Sequence, residues 1–446
     1  MKTVIMAGGR GTRLSALRAD IPKPLVRIGD KPVLEREIDC LRDQGFTDLI
    51  LTVSHMADRI RAYFGDGRRF GVSIRYFEEE QPLGNAGALF KLREQLTEPF
   101  LLLNADAVFD IDFNRFVAFH RAKGGLVTLF THPNSHPYDS GLLIADEEGR
   151  ALQWLTKEDA RPRWYRNRVN AGLHVIDPRA LDRSGIDPRT VGCEVNGRRI
   201  TVDLDRQIRK PLCGTGLMFC YDSPEYVKDM GTPDRYRAVC RDHAAGRVRA
   251  KNLKNRQKAV FLDRDGTINK YVGFLRTPEE FELLPGAAEA IRRINASGRL
   301  AIVVTNQPVI ARGEVTLPQL REIHNKMETL LGAEGAYLDA IYYCPHHPDR
   351  GFAGEVPELK RDCDCRKPKP GMLLQAARDF HIDLAGSWMI GDGESDIRAG
   401  IAAGCRTALL GRGDFGQSVT AASLIDWCEA QLPAGETGGR ESGGEA

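Results

Sequence analysis

Short apolar runs alternate with amphipathic segments over most of the chain. Two of the runs, at residues 2–6 and 259–262, end directly in polar loops that contain glycine, AGGRGTRL and DRDGT. Short continuous apolar runs are typical of buried parallel strands, and helical spacing between them is typical of helices that cover a sheet. The pattern therefore predicts two domains of the α/β class in series.

The same pattern places further strands and helices in both halves. Predicted strands lie at 48–53, 73–77, 99–106, 299–306 and 387–392. Helical spacing follows Pro32 and Ala86, and it recurs near 285–297, 318–331 and 371–380. Each half thus alternates strand and helix, as expected for a sheet with crossover helices.

Composition divides the chain further. Residues 246–257 are polar and basic and have few large apolar side chains, so they predict a solvated linker. The glycine-rich end, 433–446, predicts a flexible tail. We therefore expect a first domain over 1–245 and a second over 258–432.

Bulk properties exclude several classes of function. The chain has 446 residues, of which 42% are hydrophobic and 28% charged, with a net charge of +2, so it gives no electrostatic argument for binding nucleic acid. No apolar run approaches the roughly 18 residues of a membrane span, and no signal peptide is visible. Most of the ten cysteines are isolated. Isolated cysteines suit a reducing cytoplasm, so we expect a cytoplasmic protein with no nucleic-acid or membrane partner.

The first loop has the composition of a phosphate cradle. Glycines without side chains let backbone N–H groups approach a polyphosphate, an arginine adds a planar cation, and the prolines of PKPL hold Lys23 at a fixed range. The candidate residues in the loop are Gly8, Gly9, Gly11, Thr12 and Arg13.

The order of motifs over about residues 1–240 resembles the sugar-1-phosphate nucleotidylyltransferase family. The motifs are GGRGTRL, PKPL, LGNAGAL, LLLNAD, NAGLHVID and DMGTPDRY. The resemblance implies that the glycine-rich loop and Arg13 hold a nucleoside triphosphate and that Lys23 contacts its α-phosphate. It also implies that Asp106 and Asp229 bind Mg²⁺, a cation that prefers oxygen ligands.

Other positions follow from the same resemblance. Gly84 and Asn85 are expected in a turn that faces the base, whereas Lys157 and Asn170 contact the sugar phosphate or are ordinary surface residues. Ala105 replaces a glycine common in the family, and its methyl group is expected to crowd the base or sugar. Residues 6–35 are similar to heptose and mannose 1-phosphate guanylyltransferases, which favours GTP.

The second half opens with two carboxylates one residue apart. Alternation along a strand end aims Asp263 and Asp265 the same way, so that one acid can attack phosphorus while the other protonates the leaving oxygen. Together with VVTN, Lys367 and GDGESD, this DxD resembles the haloacid dehalogenase phosphatase superfamily over about 257–412.

The superfamily resemblance implies a role for each motif. Asp263 is the nucleophile and Asp265 the general acid and base. Asp392 joins these two acids at a Mg²⁺ site, and Asp396 either supports that site or caps the following helix. The residues expected to hold the phosphoryl group or balance its charge are Thr305, Asn306 and Lys367.

Three cysteines and a histidine form a second metal motif. Cys344 and His346 precede Cys363 and Cys365, a ligand set of a structural zinc site. Their CxH and CxC spacings are tighter than common zinc knuckles, so chance occurrence remains an alternative from spacing alone. A disulfide is disfavoured by the cytoplasmic setting, and strain disfavours one between Cys363 and Cys365.

The segment CPHHPDRG…CDCRKPKPGM resembles the D-glycero-D-manno-heptose 1,7-bisphosphate phosphatase branch, which carries such a zinc loop. His347 does not match a ligand position and is expected to be exposed. Arg366 matches a substrate-phosphate arginine, and Arg312 is a further substrate contact. Pro308 and Val309 replace small residues, and the proline removes an N–H that could face the substrate.

The two resemblances together imply two Rossmann-like three-layer α/β/α domains, a nucleotidyltransferase fold followed by a haloacid dehalogenase-like fold with a zinc loop. Removal of the 7-phosphate of the heptose bisphosphate would supply the heptose 1-phosphate for guanylyl transfer. Alternatives are a mannose 1-phosphate enzyme fused to a histidinol-phosphate-type or broad phosphosugar phosphatase, and a phosphatase with a non-catalytic sensor domain. The oligomeric state stays open.

Overall fold

The computed structural model describes residues 1–9 and 21–432. Contacts divide the chain into two compact units. The first comprises Met1–His132, Asp139–Arg161 and Arg168–Asn255. The second comprises the chain from Arg256 onward together with two short earlier segments, Pro133–Tyr138 and Pro162–Asn167.

The first unit contains fifteen strands and seven α-helices among the described residues. The strands are β1 (Thr3–Met6), β2 (Arg27–Ile28), β3 (Lys31–Pro32), β4 (Asp48–Val53), β5 (Ser73–Glu78), β6 (Phe100–Asn104), β7 (Ala107–Asp110), β8 (Val127–His132), β9 (Leu142–Ala145), β10 (Ala151–Leu155), β11 (Val169–Ile176), β12 (Glu194–Val195), β13 (Arg198–Arg199), β14 (Met218–Asp222) and β15 (Tyr226–Asp229). The helices are α1 (Val33–Arg42), α2 (Ala57–Phe64), α3 (Gly87–Lys91), α4 (Phe113–Lys123), α5 (Arg179–Asp182), α6 (Pro233–Ala244) and α7 (Arg247–Ala250).

The second unit contains six strands and six α-helices among the described residues. The strands are β16 (Ala259–Leu262), β17 (Leu300–Asn306), β18 (Ala340–Cys344), β19 (Trp388–Gly391), β20 (Arg406–Leu410) and β21 (Val419–Ala421). The helices are α8 (Ala287–Ala296), α9 (Pro308–Ala311), α10 (Leu317–Ala333), α11 (Gly371–Phe380), α12 (Glu394–Ala403) and α13 (Leu424–Gln431).

The large sheet of the first unit is mixed. Its path is β10-β9-β11-β6-β1-β4-β5, and β8 joins β11 to β14. Strand β1 is parallel to both β4 and β6, so the chain leaves the centre of the sheet in two directions. Such a switch point leaves a crevice at the carboxyl ends of the strands, where ligands bind in open α/β sheets.

The sheet of the second unit is parallel throughout, in the order β18-β17-β16-β19-β20-β21. Strand β16 again lies between strands reached in opposite directions. Neighbouring residues of β16 enter different cores: Val260 and Leu262 pack in one cluster, and Ala259 and Phe261 in the other. Because successive side chains point to opposite faces, the two cores cover both faces of the sheet. The predicted α/β/α layering is confirmed.

Most predicted elements are present, whereas the predicted linker is not a solvated one. Residues 247–250 form helix α7, in which Val248 is 7% exposed, and Leu253 is 4% exposed. Asn252 donates from Nδ2 to Asp110 Oδ1 at 2.6 Å, and the Leu253 N–H donates to Glu225 Oε1 at 2.9 Å. The basic side chains that suggested a linker alternate with apolar ones that pack on the first unit.

Two further predictions concern regions outside these elements. The predicted tail, 433–446, lies outside the described residues. None of the described helices combines the length and the apolar composition that crossing a bilayer requires.

Candidate active sites

The carboxyl ends of β16, β17 and β19 bring together side chains from three parts of the chain. Asp263 follows β16, Asn306 ends β17, and Asp392 follows β19; all three line one pocket. The Asp263 N–H donates to the Ile390 carbonyl at 2.9 Å, which fixes the two neighbouring strand ends in register. Asp263 and Asp392, which the superfamily resemblance assigns to one Mg²⁺ site, thus line the same pocket at one edge of the sheet.

Three carboxylates in this pocket are close enough to share a cation. Oxygens of Asp263, Asp392 and Asp396 lie within 4.8 Å of one another. The Lys367 Nζ atom lies 2.8 Å from Asp263 Oδ1 and 2.6 Å from Asp396 Oδ1, and Lys367 is 2% exposed. A buried ammonium between two carboxylates offsets their mutual repulsion. Oxygen donors in this arrangement fit Mg²⁺.

Asp396 has two contacts, which match both of its expected alternatives. Its Oδ2 accepts the Gly393 N–H at 3.1 Å at the start of α12, and its Oδ1 faces Lys367. One carboxylate thus caps a helix and belongs to the charged cluster.

Gly266 approaches Asp392 closely, since a Cβ at Gly266 would lie 2.0 Å from Asp392 Oδ2.

The environments of the two acids of the DxD motif differ. Burial raises the pKa of Asp263 to about 6, although Lys367 opposes this shift. Burial also opposes ionisation of Asp265, but the Arg264 guanidinium outweighs it and holds the pKa of Asp265 below its usual value. A nucleophile must be ionised and a general acid protonated, and the two directions in the protein alone are the reverse. A cation beside Asp263 favours its carboxylate, and a phosphate dianion beside Asp265 favours its protonated form, so bound cation and substrate would restore the required states.

Asp265 is held by a network that motif comparison missed. Arg264, fully buried, donates from Nη2 to Asp265 Oδ2 at 2.8 Å, and Gln307 donates from Nε2 to the same oxygen at 3.1 Å. Asn269 donates to Asp265 Oδ1 at 3.0 Å. Asp265 lies outside the set of three carboxylates whose oxygens are within 4.8 Å of one another. This differs from its expected place as a Mg²⁺ ligand.

The expected substrate contacts at the strand ends have different surroundings. Thr305 is 1% exposed, and its Oγ1 accepts from Gln307 Nε2 at 2.9 Å. Arg366 lines the pocket, and its Nη1 donates to the His346 carbonyl at 3.4 Å. Pro308 is the first residue of α9, where a proline costs no helical hydrogen bond.

Arg312 stands apart from the expected substrate contacts. Its guanidinium lies 4.1 Å from the Phe274 ring centroid and 4.5 Å from that of Phe352. It is not among the residues that line the described pocket, whereas Phe274 is. Stacking between two rings favours a role in holding the pocket wall to the loop of Phe352.

The four predicted zinc ligands form one cluster. Their ligand atoms lie within 4.8 Å of one another: the three sulfur separations are 3.3–3.5 Å, and His346 Nδ1 is 3.3 Å from Cys365 Sγ. Zn–S bonds of about 2.3 Å in a tetrahedron would give sulfur separations of about 3.8 Å. All ten cysteines are free, so the disulfide alternative is wrong. The cluster can hold a metal ion.

His347 differs from its prediction. It is half-buried, and its Nδ1 accepts the Asp349 N–H at 3.2 Å. It does not belong to the Cys/His cluster of the described residues, in agreement with its expected exclusion from the ligands.

The first unit gathers its candidates at the switch point of its own sheet. Gly8 and Gly9 follow β1, and Lys23 forms an ion pair with Asp106 after β6. The Met230 N–H donates to the Asp106 carbonyl at 3.1 Å, and Asp229 pairs with Ala107, so the two aspartates lie one residue out of register where β7 meets β15. Asp229 itself pairs with Arg235 at 2.8 Å. Gly11, Thr12 and Arg13 lie outside the described residues.

Ala105 is a core residue. It is 2% exposed and packs in one of the two cores that flank this sheet. The expectation that its methyl group crowds the base or sugar stays a prediction.

The turn expected to face the base is bonded to its own unit. Gly84 has φ +83°, and a Cβ there would lie 2.3 Å from the Val202 carbonyl oxygen. Asn85 Oδ1 accepts the Leu204 N–H at 2.7 Å, and its Nδ2 lies 3.3 Å from Asp203 Oδ2. Gly84 and Asn85 therefore dock residues 202–204, a contact that the motif did not reveal.

The two expected sugar contacts differ in burial. Lys157 is exposed in a turn after β10. Asn170 lies in β11, and its Oδ1 is 3.1 Å from Nε2 of the buried His174. Arg209 Nη2 approaches the same ring nitrogen at 2.6 Å from a π-helix over Asp205–Arg209. This buried polar chain carried no recognisable sequence signal.

Comparison with known proteins covers both units. Residues 2–192 match the family model described as nucleotidyl transferase, and residues 364–427 match one described as HAD-hydrolase-like. The D-glycero-β-D-manno-heptose-1,7-bisphosphate 7-phosphatase of Escherichia coli K12 is 44% identical over 171 residues, which is 38% of this chain and 86% of that protein. The chain belongs to this heptose-bisphosphate phosphatase family. The first half adds a nucleotidyl transferase domain, so both predicted resemblances are confirmed.

Solved structures also match. A D,D-heptose 1,7-bisphosphate phosphatase from B. bronchiseptica, complexed with magnesium and phosphate, is 34% identical, with a TM-score of 0.35 over 40% of this chain and 98% of that one. The protein HddC from Yersinia pseudotuberculosis is 24% identical, with a TM-score of 0.45 over 54% of this chain and 99% of that one.

Proposed function

We propose that the chain is a bifunctional enzyme of sugar-nucleotide synthesis. The second unit hydrolyses the 7-phosphate of D-glycero-D-manno-heptose 1,7-bisphosphate, and the first transfers GMP from GTP to the resulting heptose 1-phosphate. The observation that carries the proposal is the cluster of Lys367 with Asp263 and Asp396 at the centre of the second sheet, in a chain of the heptose-bisphosphate phosphatase family.

Phosphate removal is divided between the two acids of the DxD motif. A carboxylate oxygen of Asp263 attacks phosphorus, the bond between phosphorus and the sugar oxygen breaks, and Asp265 gives that oxygen a proton. Water then attacks the phosphorus of the aspartyl phosphate, Asp265 takes its proton, and Asp263 and inorganic phosphate are released. Lys367 balances the charge of the phosphoryl group. Mg²⁺, held by Asp263, Asp392 and Asp396, would neutralise charge between carboxylate and phosphate.

Nucleotidyl transfer requires positioning more than covalent work by the protein. An oxygen of the sugar 1-phosphate attacks the α-phosphorus of GTP, and the bond to the β-phosphate oxygen breaks to release pyrophosphate. Lys23 lies beside Asp106, where it can compensate charge on the α-phosphate. Asp229 pairs with Ala107, the residue that follows Asp106, and the two aspartates are the proposed Mg²⁺ ligands.

The proposal is tested with the full chain and two assays. We expect phosphate release from the 1,7-bisphosphate, followed by pyrophosphate release when GTP is added. A panel of α- and β-anomers with the four common nucleoside triphosphates identifies the preferred pair. Good cleavage of histidinol phosphate without cleavage of the bisphosphate would contradict the phosphatase assignment. Preference for mannose 1-phosphate or for another nucleotide would contradict the assignment of the first unit.

We propose Zn²⁺ for the Cys/His cluster and a structural role for it. Cys365 is followed directly by Arg366 and Lys367, so an ion on Cys365 would fix the start of the segment that brings both cations to the pocket. Three thiolate donors and one imidazole favour Zn²⁺ over Mg²⁺.

The cytoplasm, which keeps such thiols reduced, is the proposed location of the protein.

Replacing one ligand tests this role. We expect Cys363→Ser to lower bound zinc from one equivalent to near zero and to reduce phosphatase kcat/KM by about 10- to 100-fold, because Lys367 and Arg366 lose a fixed attachment. Elemental analysis and phosphate release measure the two effects. Pyrophosphate release by the first unit should not change. The exposed Cys193 provides a control, Cys193→Ser, that should retain zinc and both activities. Full phosphatase activity in zinc-free Cys363→Ser would contradict the role.

A further inference from the structure

The side-chain amide of Asn306 makes a reciprocal pair of hydrogen bonds with the backbone of Lys367. Asn306 Nδ2 donates to the Lys367 carbonyl at 3.0 Å, and the Lys367 N–H donates to Asn306 Oδ1 at 3.0 Å. Both polar atoms of the amide are therefore used 61 residues further along the chain. This arrangement differs from the expected role of Asn306, which was to hold the phosphoryl group.

Lys367 is the residue whose position matters most in this pocket. Its ammonium group is within 3 Å of both Asp263 and Asp396, and the residue is almost completely buried. A lysine side chain has four carbons and many rotamers, so the place of its charge depends on where its backbone is held. Lys367 belongs to no helix or strand, because its segment lies between the Cys/His cluster and α11.

The end of β17 holds this segment and its neighbour together. The Gln307 N–H donates to the Cys344 carbonyl at 2.8 Å, one residue after Asn306 contacts Lys367. Gln307 therefore bonds the strand end to Cys344, in the first half of the Cys/His cluster. Asn306 bonds it to Lys367, two residues after Cys365. A metal ion would fix the segment on the cysteine side, and Asn306 fixes it on the lysine side.

We propose that Asn306 is a positioning residue that acts through Lys367 and does not bind the phosphoryl group through its own side chain. The inference rests on the proposed phosphatase function, since it concerns the same pocket. Displacement of the Lys367 ammonium by about 1 Å from the phosphoryl group can lower the rate by about 100-fold. Loss of the two hydrogen bonds should therefore lower kcat more than it raises KM.

A double-mutant cycle tests the coupling. We expect Asn306→Ala to lower phosphatase kcat by about 10- to 100-fold and Lys367→Met by about 1,000-fold. If Asn306 acts through Lys367, the double variant should equal Lys367→Met within about twofold, because nothing remains to be positioned. A further loss of 10- to 100-fold in the double variant would show an independent contact with the phosphoryl group and overturn the proposal.

The chain offers a matched control with the same local geometry. Asn295 Nδ2 donates to the Tyr337 carbonyl at 3.0 Å, and the Tyr337 N–H donates to Asn295 Oδ1 at 3.0 Å, at residues that do not line the pocket. Asn295→Ala removes the same pair of bonds and should leave kcat within about twofold of the wild type. An equal loss of kcat in Asn295→Ala would assign the effect to general destabilisation and overturn the proposal.

A second variant and a second substrate guard the test against unfolding and against a wrong substrate. Asn306→Asp retains an acceptor for the Lys367 N–H but loses the donor to the Lys367 carbonyl. It replaces Asn306→Ala in the cycle if Asn306→Ala does not fold. Zinc content and the unfolding midpoint show whether each variant is folded. If wild-type enzyme does not hydrolyse the heptose bisphosphate, the cycle is measured with p-nitrophenyl phosphate. Failure of the proposed substrate is thus distinguished from failure of the coupling.

Discussion

Asp263→Asn is expected to lower phosphate release from the heptose bisphosphate by about 10⁴-fold or more, while pyrophosphate release with GTP stays at its wild-type rate. An amide oxygen does not attack phosphorus under these conditions, and the replacement keeps the size of the side chain. Single-turnover phosphate release measures the loss. The same preparation, assayed with heptose 1-phosphate and GTP, measures the first unit.

The control for this variant is an aspartate of the same unit outside the pocket. Asp414 is exposed, and its Oδ1 accepts the Gly416 N–H at 3.1 Å in a loop after β20. Asp414→Asn should retain full phosphatase activity. A residual rate in Asp263→Asn above one tenth of the wild type would exclude Asp263 as the nucleophile. A parallel loss of pyrophosphate release would show that the substitution damages the whole chain.

Asp106→Asn should reduce nucleotidyl transfer by about 100- to 1,000-fold without a change in phosphatase activity. The substitution removes a negative charge from a proposed cation site and breaks the ion pair with Lys23. Pyrophosphate release with GTP and heptose 1-phosphate measures the transfer. The result separates two enzymes on one chain from a phosphatase that carries a nucleotide-sugar sensor.

An exposed aspartate of the same sheet serves as the comparison. Asp48, at the start of β4, pairs with Arg75 at 2.9 Å on the surface, and Asp48→Asn should retain both activities. If wild-type protein shows no transfer and Asp106→Asn instead alters phosphatase kinetics in the presence of GTP, the first unit is a sensor. Unchanged transfer in Asp106→Asn would remove this residue from the proposed cation site.

The repeated apolar runs predicted the central strands well. The predicted strand at 48–53 and the predicted helix at 371–380 have the observed bounds Asp48–Val53 and Gly371–Phe380. Both segments are defined locally, one by a run that must be buried on two faces and one by a proline followed by helical spacing. The segment 246–255 was predicted wrongly, because the burial of Val248 and Leu253 depends on surfaces from distant parts of the chain.

For the pockets, too, some residues could be predicted from the sequence and others could not. Asp263 and Asp392 were expected together because the ordered motifs resemble the phosphatase superfamily, and Cys344 with Cys365 because their chemistry favours a shared ion. The orientation of polar side chains was not predictable. Asn306 contacts a backbone 61 residues away, and Arg312 lies between two phenyl rings from separate loops. No local pattern encodes such contacts.

Helix α7 has a consequence for dividing the gene. Val248 packs with Ile28, Val33, Val108, Met230 and Val239 in a single small core. Expression of the transferase alone from a fragment that ends at residue 245 would leave those side chains exposed to water and promote aggregation. A fragment that continues through Asn255 keeps that core and the bonds to Asp110 and Glu225. A boundary for separate expression that respects this core therefore lies after Asn255 and not after residue 245.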